Sequence, residues 1–166
     1  MTSLCLDCGL CCDGTMHSTV ALQAGDDRGV LERSGFHLMV YEAEARFEQP
    51  CRAFDAKCTI YDDRPSLCRS YRCTLLRQVD SGEVTDADAR TLVNSAIALR
   101  DRVRPAIEVL VGSTKRHSFA VLVRKMEDAL EVMDPQVRLD TQAELELDSA
   151  ALLQLLSDRF EPHGPA

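Results

Sequence analysis

No apolar run in the 166 residues is long enough to cross a bilayer. The opening MTSLCLDCGL has neither the basic nor the apolar stretch of a secretory signal, so a cytoplasmic setting is expected. Basic residues are outnumbered, 19 Lys and Arg against 27 Asp and Glu, giving a formal charge of −8 and a pI near 5.0. That balance argues against a duplex nucleic acid partner, which favours a basic footprint. The four histidines, His17, His37, His117 and His163, include no H-x3-H pair. A Gly-rich phosphate loop, a G-x-S-x-G elbow and a nicotinamide or flavin fingerprint are all missing. Internal repeats and low-complexity segments are missing as well. Any chemistry must come from what remains.

What remains is sulfur. All eight cysteines lie between Cys5 and Cys73, in two clusters, CLDCGLCC and CRAFDAKCTIYDDRPSLCRSYRC. Paired cysteines serve disulfide stapling, redox catalysis or metal ligation. In a reducing compartment disulfides do not persist, so this density points to metal binding or redox chemistry. The even count still permits a disulfide scaffold if the chain meets an oxidising one. Two residues between cysteines let a tight turn aim both sulfurs at one metal with backbone amides pointing toward them. Four thiolates complete a tetrahedral zinc site or hold one iron–sulfur cluster. The candidate ligands are Cys5, Cys8, Cys11, Cys12, Cys51, Cys58, Cys68 and Cys73. They suffice for two such sites, or for one with spare thiols nearby.

Cys5-x2-Cys8-x2-Cys11 has the first spacings of a bacterial ferredoxin, but the fourth Cys followed by Pro is missing and Cys12 adjoins Cys11. Adjacent residues project differently, so Cys11 and Cys12 are expected to serve different metals or different edges of one cluster. From Arg64 to Val79 the chain carries Arg64, Arg69, Arg72 and Arg77 and no acid. Cationic neighbours lower thiol pKa values and offset the charge of a thiolate site, which marks Arg64 and Arg69 as neighbours of the bound metal. His17 is near enough in sequence to ligate but reads better as an ordinary histidine. Asp13, Asp62 and Asp63 read as turn residues more than as acceptors around a metal.

Around these clusters the pattern divides the chain at about residue 80. Residues 1–80 are cysteine-rich and broken by glycine and proline; residues 81–166 are helical in pattern; the two together are expected to form one compact unit. In the first part, Val20 to Gly35 predicts a helix capped by Gly35, and HLMVYEA predicts a short strand. In the second, Leu92, Val93, Ala96, Ile97, Val103, Ile107, Leu110 and Val111 form one apolar stripe, with Thr85 and Asp88 as an acidic capping pair. Pro105 is expected to kink that helix or start a new one. Phe119, Leu122, Val123, Met126, Leu130 and Met133 form a second stripe, stopped by Pro135. Leu152, Leu153, Leu155, Leu156 and Phe160 give a third, shorter helix. The expected fold is mainly α: an irregular, metal-organised N-terminal half packed on about three amphipathic helices.

The two clusters resemble the cysteine-cluster family named for its CxxCxxCC signature, whose members are described as zinc- or iron-chelating and often named Fe–S oxidoreductases. The family pattern continues through Cys51, Phe54, Cys58, Ile60, Tyr61, Arg64, Pro65, Cys68, Arg69, Tyr71 and Cys73, and the spacer RAFDAK departs from it. The resemblance implies a bound metal more firmly than a reaction. It favours an iron–sulfur cluster, such as 4Fe-4S, over Zn2+, and both together would also satisfy eight thiols. The functions in view are a metal-organised module, an oxidoreductase or electron carrier with a redox partner protein, and a metal chaperone or sensor with a metal-transfer partner.

Overall fold

The computed structural model describes residues 4–134 and 142–161. Among these described residues, seven helices and five short strands follow in order. The N-terminal part holds α1 (Leu4–Cys8), β1 (Thr19–Ala21), α2 (Arg28–Arg33), β2 (Leu38–Tyr41), β3 (Glu44–Glu48), β4 (Phe54–Asp55), β5 (Lys57–Cys58) and α3 (Ser66–Ser70). Then come α4 (Thr74–Ser81), α5 (Asp86–Leu110), α6 (Phe119–Glu131) and α7 (Ala143–Arg159). The fold is mainly α, as the pattern predicts.

The apolar side chains gather in two cores. The larger is helical: Val93, Val103 and Ile107 of α5 meet Phe119, Leu122 and Met126 of α6 and Leu152 and Leu156 of α7. Leu4 and Leu10 from the chain start and Leu75 and Leu76 of α4 complete it. The smaller core lies under an antiparallel sheet ordered β1-β3-β2. Phe47 in the middle strand stands opposite both Val20 and Leu38 and packs edge-to-face on Phe36, with ring centroids 4.9 Å apart. The N-terminal half is therefore more regular than its glycines and prolines suggest.

Local signals explain most helix ends. Thr85 caps α5 by accepting from the Asp88 N–H at 3.1 Å, and its hydroxyl donates to the Asp88 carboxylate. The predicted helix over Val20 to Gly35 is shorter in fact. Val20 is drawn into β1 by pairing with Phe47, and only Arg28–Arg33 is helical, capped by Asp27 and ended at Gly35 with φ +80°. HLMVYEA supplies β2 as expected. The third helix is longer than predicted, 17 residues against 13 for α6, and its stripe is narrower: Leu152 and Leu156 are buried while Leu153 faces solvent. Pro135 lies outside the described residues.

Pro105 neither ends nor restarts a helix: α5 continues through it to Leu110. The ring sits on the exposed face, where water can satisfy the carbonyl that loses its donor, while Val103 and Ile107 on either side are held in the helical core. Proline in an exposed helix interior still costs about 3 kcal/mol relative to alanine. Pro105→Ala is therefore expected to stabilise the chain by about 1–3 kcal/mol, read as a higher urea midpoint at unchanged slope; an unchanged or lower midpoint would show that the proline is matched to this site.

Candidate metal centre

The eight thiols come from six pieces of backbone. Cys5 and Cys8 lie three apart on α1 and so share a face. Gly9, φ +67°, ends that helix, and its carbonyl receives the N–H groups of Cys12 and Asp13 at 2.9 Å, turning the chain sharply at Cys11 and Cys12. Cys51 follows β3, Cys58 ends β5, Cys68 is in α3 and Cys73 caps α4. The spacer RAFDAK is a two-stranded hairpin turning at Ala56, with Phe54 paired to Cys58. That hairpin folds Cys58 back toward Cys51.

Remote contacts hold these pieces in place. The Cys51 N–H donates to the Cys12 carbonyl at 2.7 Å, joining the two clusters through the main chain. Pro65 brings no side-chain cap to α3; Asp26 takes that role from 40 residues away, accepting from the Ser66 N–H at 2.8 Å and hydroxyl at 2.7 Å. Asp13 is more than a turn residue. It accepts from the Thr15 N–H at 2.8 Å and forms a largely buried ion pair with Arg100 of α5, while Arg104 donates to its carbonyl at 3.2 Å. At the start of α6, Phe119 N–H donates to the Gly14 carbonyl at 2.7 Å, and the Ser118 hydroxyl pairs with Ser18 at 2.8 Å.

The thiols separate into two groups. Cys8 and Cys73 pack on the helical core; Cys12, Cys51 and Cys68 pack on the sheet core. The electrostatic neighbours divide largely the same way, with Cys5, Cys11 and Cys12 at the join. Burial pushes the Cys8 thiol up to about 12, with Cys73 and Cys5 adding to the rise. Cys11 is pushed well up by burial and by Cys8, Cys12, Cys73 and Cys5. Cys12, also raised to about 12 by burial, is raised further by Cys51, Cys68 and Cys58, ahead of Cys5. Cys68 is raised to about 11 by burial and by Cys51 and Cys58. A cavity of about 50 Å³ touches Cys8 and Cys73; a larger one of about 340 Å³ touches Cys51, Cys58 and Cys68. Cys5, Cys11 and Cys12 border both.

Donor chemistry fits a thiophilic metal. All eight cysteines are free thiols. Backbone N–H groups of Leu10, Ala53 and Leu76 counter the burial-driven rise at Cys8, Cys51 and Cys73, the last with N–H to sulfur at 3.4 Å. Such donors favour the thiolate, the form that ligates. Among the described residues, no three Cys, His, Asp or Glu side chains close on one point as a single ion requires.

The predicted cationic neighbours fare differently. Arg64 lies over the Tyr61 ring at 3.6 Å and counters the rise at Cys68. Arg69 is exposed and acts on Asp26. Arg72 donates to the Arg69 and Tyr71 carbonyls. Arg116, far away in sequence, counters the rise at Cys51; no spacing could have singled it out. His17 sits edge-on to Tyr71 at 5.0 Å, its burial favouring the neutral ring, and borders the larger cavity. His37 is exposed, His117 gives its carbonyl to Arg104, and His163 lies outside the described residues. Asp62 and Asp63 are exposed, and border a separate cleft with Asp26.

The family described as "CxxCxxCC: Putative zinc- or iron-chelating domain" matches residues 4–94, more than half of the chain and all eight cysteines. The chain belongs to this family. The match spans both thiol groups and runs into α5, whose Val93 is part of the helical core beneath Cys8 and Cys73. No curated protein and no solved structure matches the chain. No helix of the described residues is long and apolar enough to cross a membrane.

Two predictions follow from this arrangement. At Gly9 a Cβ would lie 2.5 Å from the Phe54 ring and the backbone is left-handed, so Gly9→Ala is expected to lose about 1–2 kcal/mol from the backbone alone and more from the clash. Denaturant midpoints should fall while Gly25→Ala, which meets nothing within 4 Å, falls less. The second concerns alkali. In the metal-free chain Cys8 and Cys12 keep their protons up to about 12 and Cys68 up to about 11, whereas unfolded thiols lose theirs near 9.0. The folded state then binds more protons between those limits, so stability is full below pH 9 and falls as pH rises toward 11–12. Chemical denaturation of metal-free protein between pH 8 and pH 11 should show this fall, and replacing Cys8 and Cys12 with alanine should flatten it.

Proposed function

We propose that the chain holds metal at two neighbouring centres of four thiolates, Cys5, Cys8, Cys11 and Cys73 at one and Cys12, Cys51, Cys58 and Cys68 at the other. The observation that carries this reading is the division of the thiols between the two cores, with the adjacent Cys11 and Cys12 facing different groups. Metal displaces the protons that burial retains on Cys8, Cys11, Cys12, Cys51, Cys68 and Cys73, and part of the binding energy becomes folding energy.

The iron–sulfur reading is the one we favour. Its support is a sulfur-only donor set and the Cys-x2-Cys-x2-Cys start. Bound clusters would supply one-electron redox chemistry. The chain's residues would exclude water, hold the sulfurs and give them N–H donors from Leu10, Ala53 and Leu76. Cys5 is exposed beside Leu6, which gives a redox partner protein one edge to approach. The second reading, zinc in a structural or metal-handling role, has the family description behind it, which names zinc and iron alike.

Metal and acid-labile sulfide analysis of anaerobically purified protein, with its absorption spectrum, decides between them. Iron and sulfide in near-equal amounts with broad visible absorption are expected. Zinc without sulfide or colour would establish the second reading. Cys68→Ser and Cys73→Ser should each lose about half of the bound metal, and together nearly all of it. Loss of all metal from either single variant would mean one shared centre.

A further inference from the structure

The larger cavity extends well past the thiols. Its volume of about 340 Å³ falls in the range of small-molecule pockets, roughly 300–1,000 Å³. Away from the sulfurs its wall is aromatic, with Phe36, Phe47, Phe54 and Tyr61. Into this apolar wall come polar side chains that the packing leaves unsatisfied, and Gln49 is the most buried of them. Gln49 is only 6% exposed, and its Oε1 is buried without a hydrogen-bond partner. The residue is fixed by its own N–H, which donates to the Ser18 carbonyl at 2.9 Å. Tyr71, His17 and Arg64 border the same cavity, and their Oη, Nε2 and Nε atoms are likewise buried and unpartnered.

A buried acceptor left unpaired is costly, and ligand pockets commonly consist of apolar walls with a few polar groups that fix orientation. The wall contains no carboxylate to receive a cation. Arg64 also lines the wall, but its guanidinium lies over the Tyr61 ring and acts on Cys68, so thiolates at the neighbouring centre, if loaded as proposed above, are its counter-charge and repel a further anion. We propose that this cavity binds a small uncharged aromatic molecule carrying an N–H or O–H, with its ring against Phe36, Phe47 and Phe54 and its donor on Gln49 Oε1. The molecule lies beside Cys12, Cys58 and Cys68, where a metal centre would touch it.

Indole, which has both features, and 1-methylindole, which lacks the donor, are the probes. Calorimetric titration of the full-length, metal-loaded protein should show saturable binding of indole at one equivalent, and binding of 1-methylindole about tenfold weaker. Gln49→Met, similar in shape but without the amide, should bind the two probes equally. Absence of saturable binding, or equal affinity of the native chain for both probes, would overturn the proposal. Binding that metal loading abolishes would also overturn it, because the cavity would then be the metal centre's own space. Metal content measured on the same samples separates the two readings. A chain that carries no metal yet distinguishes the probes keeps the cavity and removes the centres.

Discussion

The structure depends on a single main-chain constraint: at Cys11 and Cys12 consecutive side chains must leave the backbone on different sides. The left-handed Gly9 makes the turn, the Gly9 carbonyl holds it through two N–H donors, and Asp13 fixes its far side through Arg100 and Arg104. Because this step lies between the helical core and the sheet core, a thiol on one side meets Cys8 and Cys73 and a thiol on the other meets Cys51, Cys58 and Cys68. The rest of the N-terminal half completes the two groups.

The helices do more than supply bulk. The α5 arginines Arg100 and Arg104 grip Asp13, and the N-terminus of α6 receives the Gly14 carbonyl. Arg90 of α5 reaches Asp7 of α1 at 2.9 Å. The helical core thus holds the first cysteine cluster from outside, whereas the second depends on the sheet and on Asp26 capping α3. Two scaffolds meet at the sulfurs, so metal bound there would bridge them and couple ligation to the stability of both.

The family, its cysteine clusters and the main helices were legible from the sequence because each rests on local information. Cysteine spacing needs only a few residues, and a stripe of apolar side chains repeats every three to four. The capping pair Thr85 and Asp88 and the glycine stop at Gly35 are local too. Where the reading went astray, a distant partner outweighed local preference: Val20 pairs with Phe47 instead of joining a helix. At Pro105 no new helix starts, because Val103 and Ile107 on either side are packed in the helical core. The three-stranded sheet was missed beyond β2 because strands of three to five residues carry little periodicity.

The sequence by itself determined the donor chemistry, since eight cysteines with so few histidines offer sulfur and little else, and it determined the helical frame, since amphipathic periodicity is written into each helix. Only the tertiary structure decided which thiols stand together. Cys73 joins residues more than sixty positions earlier, Cys58 turns back through a hairpin, and Arg116 and Gln49 reach the site from other elements. Side-chain neighbours across a fold are set by how elements pack, and packing depends on pairs of residues far apart in the chain, which no local spacing records.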